Sequence, residues 1–223
     1  MQPEDMRKIR TPGSVSLSPD GTRVAFAVSS IEGSAYRSEL FVAPTNGSAA
    51  PTRLTDGAND SAPRWSPDGG TIAFLRTDAQ GRRQLFVLPL GGAARQLTDH
   101  PLGVGSPVTA RHARAASGPV WSPGERQRIA YTARVPTAAT RAAVVAQRTA
   151  RLRYRTDGSG YTVNAPSHVF VTDVPSGSSK QLTEGDCDYW DVSWQDHRYL
   201  LAATARHDTR DLDEAQDLSL IHI

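Results

Sequence analysis

The residues that could do chemistry are few and scattered. No Gly-x-Ser-x-Gly elbow occurs in the 223 residues, so the strained turn that exposes a nucleophilic serine is missing. The six histidines, His100, His112, His168, His197, His207 and His222, form no i, i+4 pair and no His-Glu-x-x-His. No catalytic residue, no bound metal and no cofactor is therefore expected from this chain. Asp20 and Asp68 could be imagined as ligands. Their place in Ser-Pro-Asp-Gly turns favours a plainer role, capping nearby backbone N–H groups. Trp65, Trp121 and Trp194 could stack bases or sugars if exposed, but their recurrence at one strand position reads as core. Cys187 is the lone cysteine, with no local base beside it, and reads as an unreactive thiol.

Charge is segregated along the chain. From Arg111 to Arg155 there are ten Arg against one carboxylate, Glu125. From Glu184 to Asp217 there are ten carboxylates against three Arg. A basic run can mark nucleic-acid binding. Here the net charge is only +2, aromatics are sparse in the basic run, and an acidic stretch lies on the same chain. Pairing between the two stretches, or with another subunit, is the better expectation, and nucleic acid is not expected as a partner.

These residues hang on a repeat. Ser18-Pro19-Asp20-Gly21 lies between Val15-Ser16-Leu17 and Val24-Ala25-Phe26. Ser66-Pro67-Asp68-Gly69 lies between Pro63-Arg64-Trp65 and Ile72-Ala73-Phe74. Ser122-Pro123-Gly124 lies between Pro119-Val120-Trp121 and Ile129-Ala130-Tyr131. A worn copy, Trp194-Gln195-Asp196-His197, precedes Tyr199-Leu200-Leu201-Ala202. Units close on Arg53-Leu54-Thr55-Asp56-Gly57, Gln96-Leu97-Thr98-Asp99 and Gln181-Leu182-Thr183-Glu184-Gly185. A self-similar unit of roughly 40–50 residues signals a propeller or solenoid.

Each unit reads as four short strands. In the second they fall at Ala62 to Ser66, Thr71 to Arg76, Gln84 to Leu90 and Arg95 to Thr98, with Gly91-Gly92 as a tight turn. The expected fold is all-β, a β-propeller of four-stranded antiparallel blades, with about three and a half blades present. Blades start near 14, 62, 118 and 191. Residues 134–166 form an insertion between the second and third strands of blade three, where repeat arrays often bind or assemble. Within it, Ala142 to Leu152 suits a short helix, and Arg153-Tyr154-Arg155 with Tyr161-Thr162-Val163 suits a hairpin. Arg151, Arg153 and Arg155 are the candidate interdomain or subunit contacts.

No run of 18 apolar residues exists, and the first ten residues lack an apolar signal core. With one cysteine, this favours a cytoplasmic protein without a membrane partner. Leu218-Ser219-Leu220-Ile221-His222-Ile223 matches a translated transposon-adapter end. Natural sequence is therefore expected to stop near Asp217, inside blade four.

The order of phrases resembles the N-terminal propeller of prolyl-oligopeptidase-family serine peptidases, above all the bacterial acylaminoacyl-peptidase-like branch. The likeness runs from Pro3-Glu4-Asp5-Met6 through the Ser-Pro-Asp-Gly repeats and Ala35-Tyr36-Arg37-Ser38-Glu39-Leu40. It continues through Arg151 to Tyr161, His168 to Val174, Ala205-Arg206-His207-Asp208 and Asp211-Leu212-Asp213. Gly124 and Gln195-Asp196-His197 depart from the usual turns. The resemblance implies a Ser-Asp-His triad on a separate C-terminal α/β-hydrolase domain, with this propeller restricting entry to short or N-acylated peptides. The peptide substrate would be met through that domain, and a homo-oligomer is a candidate assembly. The competing reading is a TolB-like or scaffold propeller that binds protein partners without catalysis. A TolB-type chain would carry a signal peptide and more even repeat spacing.

Overall fold

The computed structural model describes residues 5, 8–56, 59–105, 118–137, 152, 154–156, 160–161, 165–213 and 215–223. Among them every regular element longer than a single turn is a β-strand. The chain forms two compact units, residues 1–98 and 99–223. The first unit holds two four-stranded antiparallel sheets. One runs β1 (Thr11–Leu17), β2 (Arg23–Glu32), β3 (Ala35–Pro44) and β4 (Thr52–Arg53). The other runs β5 (Asp60–Trp65), β6 (Thr71–Thr77), β7 (Arg83–Pro89) and β8 (Arg95–Gln96).

The second unit repeats the plan with an interruption. Its four-stranded sheet contains β9 (Val120–Trp121), β10 (Arg128–Arg134), β13 (Ser167–Asp173) and β14 (Ser179–Gln181). Between β10 and β13 sits a small hairpin of β11 (Arg155–Thr156) and β12 (Gly160–Tyr161). The next sheet has β15 (Tyr189–Trp194), β16 (Tyr199–Thr204) and β17 (Asp217–His222). All pairings are between antiparallel strands adjacent in their meander, as in propeller blades. The segment expected to be adapter-derived forms most of β17, with Leu220 facing Leu201 and Ile221 facing Leu200. Its alternating pattern suits an edge strand whatever its origin.

The sequence phrases have physical causes. In Ser66-Pro67-Asp68-Gly69 the Gly69 N–H donates to the Ser66 carbonyl (2.9 Å), and Gly69 sits at φ +68°, open to glycine without steric cost. The buried Ser66 hydroxyl donates to Asp68 (2.5 Å) and accepts the Thr71 N–H (2.9 Å). Asp68 in turn accepts the Gly70 N–H (2.9 Å). Ser18 and Asp20 repeat this with Arg23 and Thr22. The Ser18 hydroxyl and the Thr22 donors hold the Asp20 carboxyl down to about 2. Asp20 and Asp68 are thus turn caps, as their positions indicated.

The two departures keep the logic with other atoms. Where Gly124 replaces the aspartate, the loop is one residue longer, and the Ser122 hydroxyl donates to the Arg126 carbonyl while accepting the Arg128 N–H. In blade four Asp196 takes over, accepting the N–H groups of Arg198 (2.6 Å) and Tyr199 (3.0 Å).

The Leu-Thr ending is a strand closure. Leu54, Leu97 and Leu182 donate their N–H groups to the carbonyls of Leu40, Leu85 and Val169. Thr55, Thr98 and Thr183 then lend side-chain oxygens to the N–H groups of those same three residues at 2.9, 2.9 and 3.0 Å. All three threonines are buried, so each satisfies a donor that water cannot reach.

Three of the four first strands, β1, β5 and β15, also bend at one place. Register shifts fall between Gly13 and Ser16, Ser61 and Arg64, and Trp190 and Ser193. The bulged residues Ser14, Ala62 and Asp191 have φ of 47°, 51° and 49°. Sheets stack within each unit through the tryptophans. The Trp65 indole N–H donates to the Ser16 carbonyl (3.1 Å), and the Trp194 indole N–H donates to the Val120 carbonyl (2.9 Å). Trp65 and Trp121 are buried, so neither offers a stacking platform.

Candidate functional site

In an antiparallel meander, successive connections leave at opposite ends of the sheet. In the second unit the tight turns β9–β10, β13–β14 and β15–β16 therefore share one end. The root of the β10–β13 insertion, the β14–β15 crossing and the β16–β17 loop gather at the other. That loop end collects the polar side chains that the turns do not use.

The root of the insertion is held at two points. The Val135 N–H donates to the Pro166 carbonyl (2.9 Å), and Arg134 Nε donates to the Ala165 carbonyl (3.2 Å). Asp188 on the crossing accepts the Ser167 N–H (2.8 Å), while its own carbonyl accepts the Thr204 hydroxyl (2.9 Å). Asp188 thereby links blade three to blade four. It also faces Arg134, whose guanidinium is pulled down by burial and supported by the Asp188 charge. This charge interaction couples the basic and acidic stretches of the sequence. His168, buried at the start of β13, meets the Thr183 hydroxyl through Nδ1 (3.2 Å), and burial lowers its pKa against the pull of Asp188.

The β16–β17 loop is tied to the same end. Arg210 donates to Asp186 (2.5 Å) and points a second nitrogen at the Cys187 sulfur (3.4 Å). His207 stands between two carboxylates, with Nε2 2.9 Å from Asp213 and Nδ1 3.4 Å from Asp217. Asp213 also accepts the Thr209 hydroxyl (2.6 Å) and the Ala215 N–H (3.0 Å), and its carboxyl is held at about 2, first by Thr209 and then by His207.

The expected contact residues are only partly in view. Arg151 and Arg153 lie outside the described residues, as does the expected helix from Ala142, apart from the exposed Leu152. Arg155 stands in β11 opposite Tyr161, and Thr156 faces Gly160, so the hairpin forms where its sequence indicated. Sequence reasoning missed the parts played by Asp188, Arg210 and Asp213. The available signal was the acidic stretch itself, whose carboxylates fall at the crossing and in the β16–β17 loop. Among the described residues no group of His, Cys, Asp and Glu is arranged to hold a metal ion. No helix there is long and apolar enough to cross a membrane.

Comparison with known proteins places this architecture. No protein-family model matches the chain. The uncharacterized peptidase YuxL of Bacillus subtilis is 30% identical over 224 residues, covering 98% of this chain and 33% of that protein. Dipeptidyl-peptidase 5 of Porphyromonas endodontalis is 39% identical over 108 residues, 47% of this chain and 15% of that protein. Among solved structures, Pyrococcus horikoshii acylaminoacyl peptidase superposes with a TM-score of 0.72 at 14% identity, over 96% of this chain and 31% of that one. A putative TolB from Agrobacterium tumefaciens reaches 0.58 at 17% identity, over 96% and 62%.

The fold is that of an all-β propeller array, shared with the propellers of peptidases. Along nearly its whole length the chain is similar to a protein named as a peptidase, and its fold is similar to part of acylaminoacyl peptidase. It spans about a third of the curated relative that it matches end to end.

Proposed function

We propose that this chain is the substrate-gating propeller of a cytoplasmic serine peptidase that acts on short or N-acylated peptides. The supporting observation is the span of its likeness. Nearly the whole chain aligns with a peptidase, yet it accounts for only 33% of that relative. The remainder of such a protein has room for an α/β-hydrolase region. There a serine would attack the scissile carbonyl, a histidine would carry the proton, and backbone N–H groups would hold the oxyanion. The propeller's task is exclusion, admitting short peptides and refusing folded chains.

In the same reading the insertion is a contact arm. Arg151, Arg153 and Arg155 would meet carboxylates of the hydrolase region or of a second copy, and the loop end described above is its anchorage. Nucleic acid and membrane have no part in this proposal. A TolB-like binding propeller is the second reading; the better superposition on acylaminoacyl peptidase, 0.72 against 0.58, favours the peptidase.

Reading the gene beyond the codon for Asp217 tests the proposal. An α/β-hydrolase region with a Gly-x-Ser-x-Gly elbow is expected. Further blades followed directly by a stop codon would support the binding protein instead.

A further inference from the structure

The loop between β16 and β17 is closed on itself by a single imidazole. Both ring nitrogens of His207 face carboxylates, Asp213 at 2.9 Å and Asp217 at 3.4 Å. Among the described residues these two acids are the charged groups that face it. Asp208 adjoins it in sequence, and Arg210 is turned away onto Asp186 and Cys187 of the crossing. We propose that His207 is a proton-operated latch that holds this loop shut when its ring is doubly protonated and releases the Asp217 end when it is not.

The chemistry makes the latch asymmetric. An imidazolium donates from both nitrogens, so it serves both carboxylates at once. A neutral ring has one N–H and one lone pair, so one carboxylate must face the lone pair. Asp213 has the shorter contact and two further donors, Thr209 and Ala215, that hold it in place. Among the described residues Asp217 has the longer contact, the Arg206 N–H at 3.2 Å and the nearby Arg206 charge. The neutral ring therefore keeps its proton toward Asp213, and Asp217 is let go. Asp217 pairs with Thr204, the last residue of β16, so release loosens that pairing.

The sign follows from the same contacts. The hydrogen bonds to Asp213 and then to Asp217 raise the His207 pKa above its ordinary value. A raised pKa means the latch is closed below the ordinary histidine range near 6.5 and opens as pH climbs through the higher folded value.

Amide hydrogen exchange on the full chain tests this, from about pH 6 to about pH 9, with rates corrected for the intrinsic effect of base. Protection of the Arg206 N–H should fall about tenfold per pH unit above the His207 pKa. The Ala215 N–H, bonded to Asp213, should change much less. His207→Gln should show low Arg206 protection at every pH, and His207→Arg, which keeps a cation throughout, should show no such fall on the alkaline side. Wild-type protection that stays level to pH 9, or a His207→Gln profile that overlays the wild type, would overturn the proposal.

Discussion

The indole N–H of Trp194 donates to the carbonyl of Val120 at 2.9 Å, and the indole N–H of Trp65 does the same to Ser16 at 3.1 Å. Val120 precedes Trp121 and Ser16 precedes Leu17, so the bond joins equivalent positions in two separate units. A tryptophan in the first strand of one blade clasps the first strand of the blade before it. Replacing Trp65 with Phe keeps an aromatic ring but deletes the donor and leaves the Ser16 carbonyl without it. A loss of about 1–3 kcal/mol is expected in denaturant unfolding. A change below a few tenths would mean the clasp is incidental.

Among the described residues, nothing gives the first strand of blade one such cover. Val15 and Leu17 are 62% and 58% exposed, whereas Trp65, at the position of Leu17, is 7% exposed. Exposed apolar strand faces associate. The isolated chain should self-associate in sedimentation, and Leu17→Lys should shift it toward monomer. A wild-type chain that sediments as a single monomeric species at high concentration would contradict this.

The threonine closures should be costly to lose. Thr98→Val preserves shape but strips the acceptor from the buried Leu85 N–H and removes the hydroxyl's bond to the buried Gln84 side-chain oxygen. About 1–3 kcal/mol should be lost, with Thr98→Ser much milder. Equal effects of Val and Ser would point to packing rather than hydrogen bonding.

Acid should weaken the second unit through His100. Its ring packs on Tyr131 and Phe170 and its Nε2 meets the Tyr131 hydroxyl at 3.2 Å. Burial lowers its pKa below the ordinary value near 6.5. The unfolded chain then takes up the proton first. Stability is fully present above about pH 6.5 and declines as pH falls toward the folded pKa. Unfolding midpoints of wild type and His100→Gln between about pH 8 and pH 5 should show a flatter slope for the variant. Parallel slopes would remove His100 from this role.

Much of this was legible in the sequence because repetition separates signal from accident. Two copies of Ser-Pro-Asp-Gly and a third, Ser-Pro-Gly, marked the turn, and the four strands of blade two fall within about two residues of where alternation places them. The Leu-Thr phrase was visible, but its reason was not. A threonine oxygen standing in for a backbone carbonyl needs the third strand beside it before it has meaning. The bulges at Ser14, Ala62 and Asp191 were hidden for a similar cause, since nothing in those side chains demands a positive φ. The loop end was the least legible, because Asp188 reaches Ser167 and Arg210 reaches Asp186 only once the β14–β15 crossing and the β16–β17 loop are in place.

The proposed function makes this chain the gate of a serine peptidase with its triad on a separate hydrolase domain. The most direct test is labelling by a serine-directed fluorophosphonate, applied in parallel to the full gene product and to this chain alone. The account predicts that the full product is labelled and hydrolyses N-acylated peptide p-nitroanilides, while this chain alone is neither labelled nor active. Labelling of this chain by itself, or a full product that is inert to both reagents, would contradict it.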